Sequence, residues 1–232
     1  YSSAASDVYK RQGEDGVAEI RELVGAFDTL ERDALSLRAA LATGKVTIDS
    51  VQGLFDAFRL FGPAGAAVAE RFEIDDARID FAALGASYDP GRWFVITELA
   101  RIRTMSVVGR RIGGYLTGGL RRGELTLYAT YAEAAEDGDS SRPRLSPVGL
   151  PPSLQAQVLA LNAELDSALA RGPVQQSLSA GLRWDYHRNA AFKLQVERVE
   201  ARDGFFGSFD VTPGFETGSE TTLITLNVDF VF

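Results

Sequence analysis

Residues 221–232, TTLITLNVDFVF, alternate strictly. Successive side chains of an extended chain point to opposite faces. Ile224, Leu226, Val228, Phe230 and Phe232 therefore share one side, and Leu223, Thr225, Asn227, Asp229 and Val231 the other. One side is wholly apolar and the other mostly polar. The run is also about ten residues long, the length at which a tilted strand crosses a bilayer. The stretch reads as a strand in a wall with lipid on one side and water on the other.

The same pattern recurs upstream. Leu178, Ala180, Leu182, Trp184 and Tyr186 alternate with Ser177, Ser179, Gly181, Arg183 and Asp185. Phe192, Leu194 and Val196 alternate with Lys193, Gln195 and Glu197, and Leu125, Leu127, Ala129 and Tyr131 with Thr126, Tyr128 and Thr130. A slip of one residue would turn Lys193 and Glu197 into hydrocarbon, so the hydrophobic pattern fixes the register.

Nine strands are expected, near 18–30, 34–48, 78–88, 92–103, 112–120, 124–132, 174–186, 191–200 and 221–232. Short turns at Glu31-Arg32-Asp33, Asp89-Pro90-Gly91, Arg121-Arg122-Gly123 and His187-Arg188-Asn189 join pairs of them. Longer connections, near 49–76, 104–110, 133–173 and 202–220, lie between the pairs. Short turns on one side and long loops on the other are the mark of a transmembrane barrel. A bacterial barrel has an even strand number, so an odd number of strands is expected upstream.

The patterns GLRWDYHRNAAFKLQVERV and SYDPGRWFVITELARI and the terminal LNVDFVF resemble Gram-negative outer-membrane porins, over 17–232. The resemblance implies an all-β fold: a C-terminal portion of an antiparallel transmembrane β-barrel, about nine strands, with short helices in the long extracellular loops. It implies passive diffusion of small hydrophilic solutes or ions, and no enzymatic step. It implies a location in the bacterial outer membrane after export by a leader expected upstream, since Tyr1 begins neither a basic nor an apolar run. Outer-membrane lipid, small hydrophilic solutes and the barrel-assembly machinery are the partners it carries, with Phe230 and Phe232 as the assembly signal. Trimers are common among such proteins, so a homotrimer belongs to the same expectation.

Two segments are distinguished. Residues 1–12, YSSAASDVYKRQ, resemble translated adapter sequence at the end of a gene fragment and are set apart as a non-native or disordered segment; 13–232 form the barrel part.

Composition alone is uninformative here. The chain is 45% hydrophobic and 24% charged with a net charge of −8, which would pass for a soluble domain. No run approaches the roughly 18 apolar residues of a membrane helix, because in a barrel lumen-facing residues dilute the lipid-facing ones. The acidic balance argues against nonspecific nucleic-acid binding. The absence of cysteine removes disulfides, thiolate metal sites and cysteine nucleophiles.

Candidate lumen residues are Glu98, Arg121, Arg183, Asp185, Lys193, Gln195, Glu197, Asn227 and Asp229, each open to an alternative role as a structural cross-strand pair. Tyr88, Trp93, Trp184, Tyr186 and Phe192 lie beside the short turns, where an aromatic girdle at the membrane interface is expected; the core of a soluble sandwich would enrich aromatics too. Helical spacing marks Val51, Leu54, Phe55, Phe58 and Phe61, and Leu154, Val158, Leu161, Leu165 and Leu169, as loop helices that plug the lumen or pack on one another at the rim.

No catalytic, metal or cofactor pattern is read. His187 is the only histidine and sits in a turn, and no nucleophile elbow or calcium-loop spacing accompanies it. Two further readings remain: an outer-membrane barrel enzyme of lipase type, and a soluble β-sandwich binding module. Detergent dependence separates the sandwich from both barrels, and conductance separates channel from enzyme.

Overall fold

The computed structural model describes residues 9–13, 16–138, 142–202, 204–209 and 215–231. Ten strands run in chain order: β1 (Tyr9–Gly13), β2 (Gly16–Arg32), β3 (Leu35–Ile48), β4 (Ala77–Tyr88), β5 (Trp93–Thr104), β6 (Arg110–Arg122), β7 (Leu125–Glu136), β8 (Gln175–His187), β9 (Ala190–Ala201) and β10 (Glu220–Phe230). They form one antiparallel sheet in which every strand pairs with its neighbours in sequence. Among the described residues the sheet is open, with β1 and β10 as its edges.

Strands β2 to β10 are the nine expected from alternation, with ends shifted by a few residues. The largest shift is at β7, which continues through Ala132-Glu133-Ala134-Ala135-Glu136. Alanine and glutamate are poor strand formers, but ladder pairing with β6 at Arg111↔Glu136 and with β8 at Glu133↔Gln176 overrides local preference. Strand β1 precedes them and pairs with β2 from Tyr9↔Ile20 to Gly13↔Gly16. Its first four residues fall in the segment set apart above.

Two-residue turns close three hairpins, at Asp33-Ala34, Gly123-Glu124 and Arg188-Asn189. Asp33 (φ 53°) and Gly123 (φ 62°) take the left-handed conformation that tight hairpins demand. In the fourth, Gly91 donates its backbone N–H to Asp89 Oδ1 at 3.0 Å. All four turns lie at one end of the sheet, and all the long connections at the other.

Cα pairing aligns the faces across the sheet. Leu120, Leu127, Leu182, Leu194 and Leu226 form one continuous row through β6 to β10. The face they belong to exposes large apolar side chains along almost every strand: Leu41, Leu84 and Leu226 are each 65% accessible, values far outside a water-soluble core. Along β7 this face runs Leu125, Leu127, Ala129 and Tyr131 and then turns ionic at Glu133; on β9 it runs Phe192, Leu194 and Val196 and turns ionic at Arg198. Eight to ten residues at about 3.3 Å each, tilted by about 40°, give a band of roughly 20–25 Å, close to the lipid-facing band of a transmembrane barrel. A collar of ion pairs caps it at the long-connection end: Arg78–Asp80 at 3.0 Å, Arg103–Asp137 at 3.8 Å, and Arg101–Asp137, Arg202–Glu133 and Arg198–Glu220 in direct contact.

Burial concentrates away from the sheet. Three helices, α1 (Gln52–Arg59), α2 (Gly62–Phe72) and α3 (Pro152–Ala170), pack Leu54, Phe55, Phe58, Val68, Phe72, Val158 and Leu165 into one cluster at the long-connection end. Its strand members, Ile20, Val46, Ile48, Ala77 and Ile79, all lie on the face opposite the leucine row, so the helices sit over the polar side of the rim. Helix α2 is not among the expected elements. Its buried positions Gly65, Val68, Ala69 and Phe72 have helical spacing after a proline in the first turn, but their small side chains give a weak apolar stripe. At Gly65 a Cβ would stand 1.8 Å from the Phe58 carbonyl oxygen; only glycine lets α2 lie this close on α1. The helices pack on one another and on the polar side of the rim.

Candidate functional site: the polar face of the sheet

Because paired residues share a face, the nine candidate lumen residues can be placed directly. Pairing places eight of the nine on the polar side, opposite the leucine row, and Asp185, within the register shift of β8, joins them through its ion pair with Arg183. They do not form one cluster but three groups and one isolated residue.

The largest group joins β8, β9 and β10 at the short-turn end. Asp229 is its centre: Lys193 Nζ reaches its Oδ2 at 2.7 Å, Arg183 Nη1 approaches the same oxygen at 3.5 Å, and Asn227 donates to Oδ1 at 3.0 Å. Arg183 also donates from Nε to Asp185 Oδ1 at 2.8 Å. The bulge in β8 between Trp184 and His187 bends the strand beside this cluster and shifts its register against β9. Two cations and two carboxylates thus hold one another in water-accessible positions, where an ion pair is screened and exchangeable.

The second group lies farther along the same strands. Tyr128 donates its hydroxyl to Gln195 Oε1 at 3.1 Å, and Gln195 donates to Glu197 Oε2 at 3.4 Å. Tyr128 can cross the wall because Gly181, its Cα partner on β8, leaves the space: a Cβ there would stand 2.3 Å from the tyrosine ring. Gly119 does the same for Phe94, with a contact of 2.2 Å. Thr117 and Thr130, directly opposite on β6 and β7, share a hydrogen bond of 2.8 Å.

Arg121 serves the turn beside it. Its guanidinium donates to both oxygens of Asp89, at 2.6 and 2.8 Å, and to the Gly91 carbonyl at 3.2 Å, and it lies 4.7 Å above the Phe94 ring. The bidentate fork ties β6 to the β4–β5 turn.

Glu98 stands apart, on a row with Gly85 and Tyr115. Arg38 occupies the same row on β3, across Gly85. Its face follows from its alternation with Leu35, Leu37 and Leu41, which is legible in the sequence. Arg111 shares this face but precedes Ile112, where the alternation begins, because β6 starts two residues before it.

Of the girdle residues, Tyr88 and Trp93 pack with ring centroids 5.3 Å apart across their turn, and Trp184 and Tyr186 with centroids 5.6 Å apart. Phe192 is the Cα partner of Trp184 and of Val228. These five rings and Phe230 lie at the short-turn end; Phe232 lies outside the described residues.

No family model matches the chain, and no curated protein matches it. Solved structures do. The anion-selective porin from Comamonas acidovorans superposes with a TM-score of 0.53 at 12% identity, over 97% of this chain and 58% of that one. OccK3 (OpdO) of Pseudomonas aeruginosa aligns over 98% of this chain and 63% of its own at 13% identity, with a TM-score of 0.41, too low to add to the argument. The chain thus spans little more than half the length of the porin it matches. With an exposed apolar band, a polar opposite face, and short turns and long connections at opposite ends, the chain has the fold of a Gram-negative outer-membrane porin wall, of which the described sheet is an open portion.

Proposed function

We propose that the chain forms part of the wall of an outer-membrane channel through which small hydrophilic solutes and ions diffuse without a chemical step. The observation that carries this reading is the division of one sheet into two surfaces. One exposes leucines and aromatics to a height that suits hydrocarbon, and the other carries Glu98, Arg121, Arg183, Asp185, Lys193, Gln195, Glu197, Asn227 and Asp229. Closed into a barrel, the second surface lines water. Both signs of charge sit close together there, so the lumen's selectivity is modest and set by its local field.

Outer-membrane lipid surrounds such a barrel, and Tyr88, Trp93, Trp184, Tyr186 and Phe192 seat it at the periplasmic interface. The terminal Phe230 and Phe232 are the signal that the barrel-assembly machinery reads on insertion, and a homotrimer is the assembly that the resemblance favours. Residues 13–232 act as the barrel part and 1–12 as an appended segment.

The test is conductance of the whole barrel in a planar bilayer. Stepwise ohmic currents are expected. Reversing Arg183 and Lys193 together to glutamate should shift the reversal potential under a salt gradient toward cation preference, because two positive charges beside Asp229 become negative. A correctly folded barrel that passes no current at any voltage would refute the channel and favour an enzyme of the same fold.

A further inference from the structure

The collar at the long-connection end is unevenly charged. On the apolar face of β4 to β6 it carries Arg78, Arg101, Arg103 and Arg110, and among the described residues Asp80 and Asp137 are the carboxylates that meet them. Two neighbouring sectors have the opposite balance. There β2 and β3 set Arg21 and Lys45 against Glu19, Glu22 and Asp76, while β7 to β10 set Arg198 and Arg202 against Glu133, Glu200 and Glu220. The excess of cations is confined to β4, β5 and β6.

Cross-strand pairing sharpens that excess. Arg103 and Arg110 are Cα partners, and so are Lys45 and Arg78. Like charges set directly opposite one another destabilise a sheet, and an anion between them relieves the cost. Lys45 has its own anions, Glu22 at 3.1 Å and Asp76 at 3.3 Å. Arg101 and Arg103 share Asp137, the first in direct contact and the second at 3.8 Å. Asp80, the Cα partner of Arg103 on β4, is held by Arg78 at 3.0 Å. Arg110 is exposed and takes no ion pair among the described residues. Arg101, Arg103 and Arg110 thus gather around the single carboxylate of Asp137.

The sector also stands at the edge of the apolar band and is open to whatever surrounds the wall. Toward the short turns, on the same face of the same strands, lie Leu84, Leu99 and Leu116, each more than half accessible. On the other side the connection 105–109 is drawn away: Val107 is buried in the helix cluster, and its N–H donates to the Phe72 carbonyl at 2.7 Å. Arg78, Arg103 and Arg110 accordingly remain exposed. All of the excess cations are arginines, whose planar forks match the oxygens of a phosphate two at a time. Two strand spacings make the sector about 10 Å wide, room for two separate phosphate groups.

We propose that this sector docks a membrane lipid whose headgroup carries two phosphates, with the phosphates on Arg78, Arg103 and Arg110 and the acyl chains on Leu84, Leu99 and Leu116. The phosphates supply the anions that the opposed arginines lack, and the leucines hold the chains below them. The site rests on the channel-wall reading, since lipid meets this face only if the wall spans a membrane, and it adds one lipid chemistry and one position on the circumference.

The probe is diphosphoryl lipid A, with its dephosphorylated form, phosphatidylcholine and inorganic phosphate as controls, on the whole barrel purified in detergent. Bound lipid is counted by native mass spectrometry over a titration, which needs no current. The probe should bind about tenfold or more tightly than each control, as the gain of a charge-assisted hydrogen bond implies. Arg103→Gln with Arg110→Gln should remove that preference, whereas Arg198→Gln, in the sector of opposite balance, should keep it. Should the double variant fail to fold, Arg110→Gln alone should still weaken the probe several-fold and leave phosphatidylcholine unchanged. Equal binding of the phosphorylated and dephosphorylated lipids, or arginine variants indistinguishable from the parent, would overturn the site. Inorganic phosphate binding as tightly as the lipid would make it a site for free anions instead. An oligomer lost in the double variant while lipid binding stays as in the parent would assign the sector to a contact between copies and overturn the lipid. Conductance without lipid preference refutes the site and keeps the channel; lipid preference without conductance does the reverse.

Discussion

At the scale of single residues, what a side chain does here depends on its parity in the strand. Leu226 and Asn227 are chain neighbours on β10, yet Leu226 pairs with Leu194 on the apolar face and Asn227 hydrogen-bonds Asp229 on the polar one. Leu226→Arg should therefore cost about 2–4 kcal/mol in bilayer unfolding, as a cation near the middle of the lipid-facing band does, while Asn227→Arg should be nearly neutral. Equal costs would contradict the assignment of faces. The Asp89–Arg121 fork makes a prediction of another kind. The hydrogen bonds from Arg121, helped by the Gly91 N–H, hold the Asp89 carboxyl below its ordinary value. A depressed carboxyl pKa stabilises the fold above the unfolded value of about 3.9 and loses that contribution as pH falls through the folded value. Asp89→Asn should thus be less stable than the parent at neutral pH, and the two urea-unfolding curves should converge in acid. A gap that persists at a pH of about 2, well below the unfolded value, would show that the fork is not its source.

At the scale of elements, the strands were legible because each one is read twice, by its alternation and by the turn that ends it. The sequences around Asp89-Pro90-Gly91 and His187-Arg188-Asn189 combine both signals, and β4, β5, β8 and β9 begin and end within a residue of the expected places. Where only one signal exists the reading weakens. The end of β7 is alanine and glutamate, and only pairing with its neighbours makes it a strand. Helix α2 has a stripe of small residues whose meaning depends on Gly65 meeting the Phe58 carbonyl, a contact between elements that no local pattern announces. The polar face follows the same logic. Alternation placed all nine candidates on one side, but their partners come from strand order and register: Asp229 meets Lys193, whereas Arg121 turns to Asp89.

At the scale of the whole molecule, the protein is organised inside out: its large exposed apolar surface is on the sheet and its compact core is in the helices at one rim. The sheet's height is bounded at one end by aromatic rings and at the other by the collar of arginine and carboxylate pairs, so the channel wall proposed above would have a defined depth and a polarity along the membrane normal. Both of its tryptophans, Trp93 and Trp184, belong to the aromatic end. Intrinsic fluorescence therefore reports on a single leaflet. Lipids brominated close to the headgroup should quench the emission more than lipids brominated near the chain ends, and a collisional quencher confined to the compartment beside the short turns should reach both indoles while one confined to the opposite side reaches neither. Maximal quenching from the bilayer centre would show that the barrel rides at another depth. Unmodified, the chain carries its own gauge of how far and in which direction it has inserted.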